Sequence, residues 1–167
     1  AFSLLGRPQE KWRTHSLSAH EIRRVFLEKG LIDMDGEGSA LHEQVASLRS
    51  KNRDASIILN LIQDEPWRVA ALFVAKFFTK EIVEGLNLLF RASSAKTIYC
   101  AISPKKKSLA RAIVEEAVRI DLPLELVYCE EKYPMSNSTW LSNLLARYGK
   151  GSNYSKKAAS GGYLVTG

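Results

Sequence analysis

Cysteine is scarce in this chain. Cys100 and Cys129 are its two cysteines, and they form neither a C-x-x-C pair nor any iron–sulfur or zinc spacing, which removes a cluster or metal site built on them. Both lie in apolar, strand-like runs, where a free thiol acts as a small buried hydrophobe. A reduced, cytosolic setting is therefore expected. Histidine is equally thin: His15, His20 and His42 are too scattered for a metal triad. No spacing pairs a nucleophile with a base, so hydrolytic chemistry has no support and no catalytic residue is assigned. Long hydrophobic runs are missing too. The longest, residues 69–75, and the Asn-interrupted stretch 86–90 fall far short of the roughly 20 residues that cross a bilayer, and no secretory signal pattern opens the chain. Direct membrane insertion is not expected. The chain begins at Ala1 rather than Met, which reads as a processed protein or a piece of a longer one.

What is present suits one globular domain. A chain of 167 residues, 46% hydrophobic and 25% charged, is long enough to bury a sizeable core. Its 24 basic and 18 acidic residues give a net charge of +6, which permits anion binding without requiring it. The basic residues are spread over Arg23-Arg24, residues 105–107 and Lys156-Lys157, with acidic residues between. That pattern reads as a solvated surface. No aromatic-basic module of the RRM kind appears, so nucleic acid is not an expected partner.

Apolar periodicity and turn residues divide the chain. Residues 1–17 read as an irregular N-terminal arm carrying Phe2 and Trp12. At Ser18 a helix begins, with Glu21 three residues on completing a capping box, Ile22, Val25 and Phe26 forming its stripe, and Gly30 ending it. Residues 31–39 form a turn-rich loop, and a short helix over 40–49 follows. Strands are expected at 56–60, 96–103 and 124–129. Helices are expected over 67–78, from a Thr79 cap onward, from Ser103 or the next residue to Arg119, and over 139–148. Residues 18–148 thus form a single α/β domain, and 149–167 a flexible Gly/Ser/Lys segment leading into a further domain of a longer chain. Strands separated by helices of this length indicate parallel β-α-β units. The expected fold is a three-layer α/β/α domain with a short parallel sheet of Rossmann-like units.

Polar groups at a strand end mark where chemistry would sit, because ligands of open α/β sheets bind outside the carboxyl ends of the strands. The run Ile57-Ile58-Leu59-Asn60 ends on a polar residue, and the acidic turn Gln63-Asp64-Glu65-Pro66 follows. This turn could hold the hydroxyls of a ribityl chain or ribose; the plainer reading makes Asp64 or Glu65 a cap for the helix after it. The best Gly-rich loop, Asp35-Gly36-Glu37-Gly38-Ser39, precedes a helix, whose N-terminus favours anions. Asp33, Asp35 and Glu37 crowd that loop and oppose a phosphate. Their alternation could suit a hard cation, but the EF-hand spacing is absent, and a solvated turn is the favoured reading. No metal ligand is assigned. Lys105-Lys106-Lys107 opens a helix at the end that disfavours cations, and a solvated face is preferred there as well.

In the order of its elements the chain resembles the flavin- and NADH-binding domain of the NADH-oxidising subunit of respiratory complex I, and most closely its Rnf electron-transport relative. Four stretches carry the resemblance: LSAHEIRRVFLEKGLI, like the helix leading into the family's Gly-rich flavin loop; IILNLIQDEP, like its strand ending in Asn before an acidic turn closed by Glu-Pro; FTKEIVEGLNLLFRASSAKTIYCAI, like its next helix and strand; and LELVYCEEKYP, like its third strand ending in Lys/Arg-Tyr-Pro. The similarity runs from Ser18 to Tyr148 and on toward Gly162. It implies FMN held at the strand ends, hydride accepted from NADH, and electrons passed to iron–sulfur clusters in a complex with other subunits or domains. Such a domain would be cytoplasmic and peripheral to a membrane complex.

Carried over residue by residue, Asn60 and Glu65 match the family's flavin-contacting Asn and acidic turn, while Gly36 and Gly38 would offer backbone N–H groups to the cofactor. Departures are equally specific. Where the family has G-x-G-G, this chain has Asp33-Met34-Asp35-Gly36. The family's Asp-Arg pair falls near Ala71 to Phe73, and its Gly-Gly-Glu falls on Ser136-Asn137-Ser138. Its iron–sulfur cysteines belong to a later part of its chain, so no cluster is expected within these residues. Two readings follow. The first is a domain of an NADH dehydrogenase or Rnf-type electron-transfer protein that still binds FMN or NADH as the family does, with these departures opening it to impairment. The second is a degenerate non-catalytic scaffold or docking domain that has lost cofactor binding.

Overall fold

The computed structural model describes residues 16–32, 40–51, 55–66, 69–148 and 163–166. Helix α1 (Ala19–Glu28) shows both ends its sequence encodes. Ser18 Oγ accepts from the Glu21 amide at 3.3 Å while Glu21 Oε2 accepts from the Ser18 amide at 2.7 Å, the reciprocal capping box. At the other end Gly30 sits one position beyond the Lys29 cap, at φ +60. Its amide donates to the Leu27 carbonyl and the Leu31 amide to that of Phe26, a Schellman arrangement that a left-handed residue makes possible. The Ser18 hydroxyl and then the Ser18 amide, both donating to the Glu21 carboxylate, hold it below its usual range. A depressed carboxylate contributes stability above its unfolded value and loses it as pH falls through the folded one. Ser18→Ala is therefore expected to lower the melting temperature by a few degrees at neutral pH, and thermal melts in acid should show the gap closing.

Helix α2 (Leu41–Lys51) follows, and then β1 (Ser56–Leu61) opens the sheet. Every residue of β1 is buried, as befits a central parallel strand covered on both faces. Helices α3 (Ala70–Phe77) and α4 (Thr79–Ser93) lead to β2 (Thr97–Ile102). A 3-10 turn (Pro104–Lys106) and α5 (Lys107–Arg119) lead to β3 (Leu124–Tyr128), and α6 (Ser138–Tyr148) precedes β4 (Tyr163–Thr166). The strands are parallel, in the order β3-β2-β1-β4.

Side-chain alternation builds the layers. Ile57, Leu59 and Leu61 of β1 pack with Ile98, Cys100 and Ile102 of β2 against Ala75 of α3, Val83 and Leu86 of α4, and Ile113 of α5. On the opposite face Ile58, Ile62, Ala101 and Val127 meet Leu141 and Leu145 of α6. The chain moves from β1 through β2 to β3 with helices on one face, then returns to β4 with α6 on the other. Crossovers of one hand demand this change of face when the direction reverses. The fold is the expected three-layer α/β/α arrangement. Outside it, Ile22 and Phe26 of α1 and Val45 and Leu48 of α2 form a small cluster with Ala92 of α4.

Several local expectations are corrected. The helix expected over 67–78 runs from Ala70 to Phe77, and no side chain caps it. Thr79 does not cap α4: its hydroxyl donates back to the Ala75 carbonyl at 2.6 Å, while Phe78 occupies the cap position. Tyr163–Thr166, placed by the sequence in the segment after the domain, is a strand of the sheet beside β1.

Candidate functional site

The polar groups that the sequence delivers to the end of β1 turn inward on one another. Asn60, 4% exposed, lies on the α6 side of β1 because its neighbours Leu59 and Leu61 face α3, α4 and α5. Its Nδ2 donates to the Ser136 carbonyl at 2.8 Å, and its Oδ1 accepts from the Ile62 amide at 3.2 Å. Four residues on, Asp64 Oδ2 accepts from the Ser136 amide at 2.8 Å. The two side chains thus grip both polar groups of one peptide residue, 76 and 72 positions along the chain. Asp64 is not the helix cap that the plainer reading made of it. Its second oxygen, Oδ1, is buried without a hydrogen-bond partner.

The segment gripped in this way joins β3 to α6. It contains a cis peptide between Tyr133 and Pro134, and Asn137 closes it as the cap of α6, its Oδ1 accepting from the amides of Thr139 and Trp140. The Cys129 amide donates to the Ile102 carbonyl at 3.0 Å. Lys105 reaches Glu131 at 3.3 Å, and with its side chain 77% exposed it remains on the solvated face that the sequence suggested. Beside it Lys132 and Glu130 pair at 2.6 Å, and the hydrogen bond from Lys132 holds the Glu130 carboxyl below its ordinary range while raising the lysine. Both are exposed, so the pair adds little stability.

The remaining sequence candidates fall in two groups. Glu65 lies half-buried in the turn after β1, on the same rim as Asn60. Gly36 and Gly38, with Asp33, Asp35 and Glu37, lie outside the described residues. The ends of that segment are placed: Ile32 and Ala40 form an antiparallel bridge, and the Leu41 amide donates to the Leu31 carbonyl at 2.9 Å. Leu31 and Leu41 line an apolar cavity of about 450 Å³, together with Leu59 and Leu61 of β1 and Ala71 of α3. Leu31 and Leu41, which flank that segment, therefore lie near Leu59 and Leu61 in the carboxyl half of β1.

Sequence reasoning missed Ser136 and misassigned Asp64. The available signal was an acidic residue between a buried strand and a Pro, which is ambiguous until the loop after β3 is placed. The cysteines occupy separate cores, Cys100 on the α4 side of the sheet and Cys129 on the α6 side. Burial pushes the Cys100 thiol up to about 12 and raises that of Cys129, so both stay protonated and inert. Among the described residues no group of three or more His, Cys, Asp and Glu could hold a metal ion, and no helix is long and apolar enough to cross a membrane.

Comparison with known proteins agrees with this architecture. The Nuo51 FMN-binding domain matches residues 27–167. One component of the ion-translocating oxidoreductase complex of Buchnera aphidicola subsp. Baizongia pistaciae (strain Bp) is 22% identical over 128 residues, which are 77% of this chain and 25% of that protein. Crystal structures of a NAD+-reducing NiFe hydrogenase share the fold at 16% identity, with TM-scores of 0.73 in the air-oxidised and 0.75 in the H2-reduced state. Each alignment covers 92% of this chain and 29% of the hydrogenase chain. The chain thus spans under a third of the length of either relative.

Proposed function

The chain belongs to the Nuo51 FMN-binding domain family, and from that premise we propose that it is a domain of an NADH dehydrogenase or Rnf-type electron-transfer protein in which cofactor binding is impaired. Its place is beside other subunits or domains of such a complex, on the cytoplasmic side and peripheral to the membrane. FMN and NADH are the ligands this family chemistry implies. We place them at the carboxyl edge of β1, beside Asn60 and Glu65, with Gly36 and Gly38 the backbone donors that the family resemblance implies.

One observation carries the impairment. Asn60 and Asp64 both close on the Ser136 peptide instead of standing open to a ligand. The neighbouring cavity is no substitute, because its described lining is mostly apolar and carries no polar side chain, whereas a flavin presents ring nitrogens, hydroxyls and a phosphate that need hydrogen-bond partners. In the family's Gly-rich loop this sequence carries Asp33 and Asp35, and carboxylates there would oppose a phosphate. The turned-in Asn60 and Asp64 and this acidic loop sequence together argue against a good fit to FMN. Redox chemistry in such a protein belongs to the cofactor, so weak binding means weak or absent activity in this domain.

The inward grip on Ser136 also favours a second reading, a docking scaffold without cofactor. Titration of the chain with FMN, read by quenching of flavin fluorescence, separates the two. The unmodified chain is expected to bind weakly, and Asp33→Gly with Asp35→Gly to tighten binding by about tenfold or more, equivalent to about 1.4 kcal/mol. No binding by either protein would leave the scaffold reading. Tight binding by the unmodified chain would show the site intact and refute the impairment.

A further inference from the structure

Glycine in the interior of a helix needs a reason, since it weakens the helix relative to alanine. Gly85 stands in the middle of α4. The usual reason, a neighbour packed too close for a side chain, does not apply: beyond its own turn of helix, a Cβ placed on Gly85 meets no atom within 4 Å. The open space is the cavity of about 450 Å³, which Gly85 lines with Phe26 of α1, Val74 of α3 and Leu86 and Leu89 of α4. That volume lies within the range of small-molecule sites, about 300–1,000 Å³. A half-open pocket with mostly hydrocarbon walls and few polar partners holds water poorly and accepts apolar guests.

We propose that the cavity between α1, α3 and α4 is a binding site for a neutral, hydrocarbon-rich small molecule, and that Gly85 leaves the room its ligand occupies. The site does not depend on the flavin reading. It excludes charged ligands, because none of its described lining side chains can pair with a charge, and it favours flat rings or short acyl chains that exchange water for leucine and phenylalanine surface. The absence of a side chain at Gly85 and the apolar lining are separate observations that point to the same occupant.

The test uses the whole 167-residue chain and 1-aminoanthracene, a neutral fluorescent ring compound. The expected result is saturable binding of one dye per chain with a blue-shifted emission, displaced by decanol and not by FMN. Gly85→Leu should fill the space. It is expected to melt no lower than the unmodified chain, since leucine is the better helix former, and to bind the dye about tenfold more weakly or worse. Ala71→Leu, from the α3 wall, repeats the test should Gly85→Leu fail to fold. Absence of saturable binding would overturn the proposal, as would affinity unchanged in the folded variants. Displacement by FMN would also overturn it, by assigning the cavity to the flavin.

Discussion

Asn60→Ala is expected to destabilise the domain by about 2–4 kcal/mol, because it removes two buried side-chain–backbone hydrogen bonds at once. The Ile62 amide and the Ser136 carbonyl would lose the bonds that Asn60 makes to them, while Asp64 would keep its own bond to the Ser136 amide. Urea unfolding followed by circular dichroism measures the loss. Asn60→Asp is the informative companion, since it keeps an acceptor for Ile62 but sets a carboxylate against the Ser136 carbonyl, and should do no better than alanine. A cost below about 0.5 kcal/mol, the scale of an ordinary surface substitution, would mean that Asn60 does not hold this loop. Asn60 would then be free for a ligand, and the impairment of the flavin site would lose its main support.

The second large effect lies in the same strand, on its other face. Ile57 is fully buried where β1 is flanked by β2 and β4 and covered by helices. Ile57→Ala is expected to cost about 2–5 kcal/mol through lost transfer energy and the cavity left behind. Against a total stability of about 5–15 kcal/mol for such a domain, that loss alone could leave a substantial fraction of the chain unfolded. Val118→Ala serves as the control. Val118 is 73% exposed, so its truncation should change stability by no more than about 0.5 kcal/mol. If the two variants melted alike, Ile57 would not sit in a packed core.

How far the sequence revealed this fold depends on the range of each interaction. Ser18, Glu21 and Gly30 announced α1 because their partners lie within five residues. The apolar runs of β1 and β2 announced parallel strands because burial on both faces leaves little polar alternation to confuse the pattern. Strand β3, an edge strand with Glu125 and Tyr128 exposed, was marked by its aliphatic and aromatic residues after Pro123. Interactions that join distant parts of the chain were not legible. Asp64 could cap the next helix or reach Ser136, and nothing local distinguishes these until the β3–α6 segment is in place. Thr79 looked like a cap but bonds back one turn to Ala75. Tyr163–Thr166 is four residues long behind a run of Gly, Ser and Lys, so its membership of the sheet depends on β1, which it meets only in space. Asn60 was singled out correctly as a strand-end polar residue. Its partner, the Ser136 peptide, was hidden for the same reason.

The pairing of β1 with β4 bears on how this domain is made. Ser56 stands opposite Tyr163, so the most buried strand gains its second neighbour from a stretch synthesised about a hundred residues later. Until then a nascent chain carries an unpaired edge of Ile-Ile-Leu-Asn-Leu, a ready template for joining another chain. Closing a contact so distant in sequence is also slow. Shielding of this edge by the ribosome surface or a chaperone would therefore matter more to the yield of folded protein than any single side chain in the finished core.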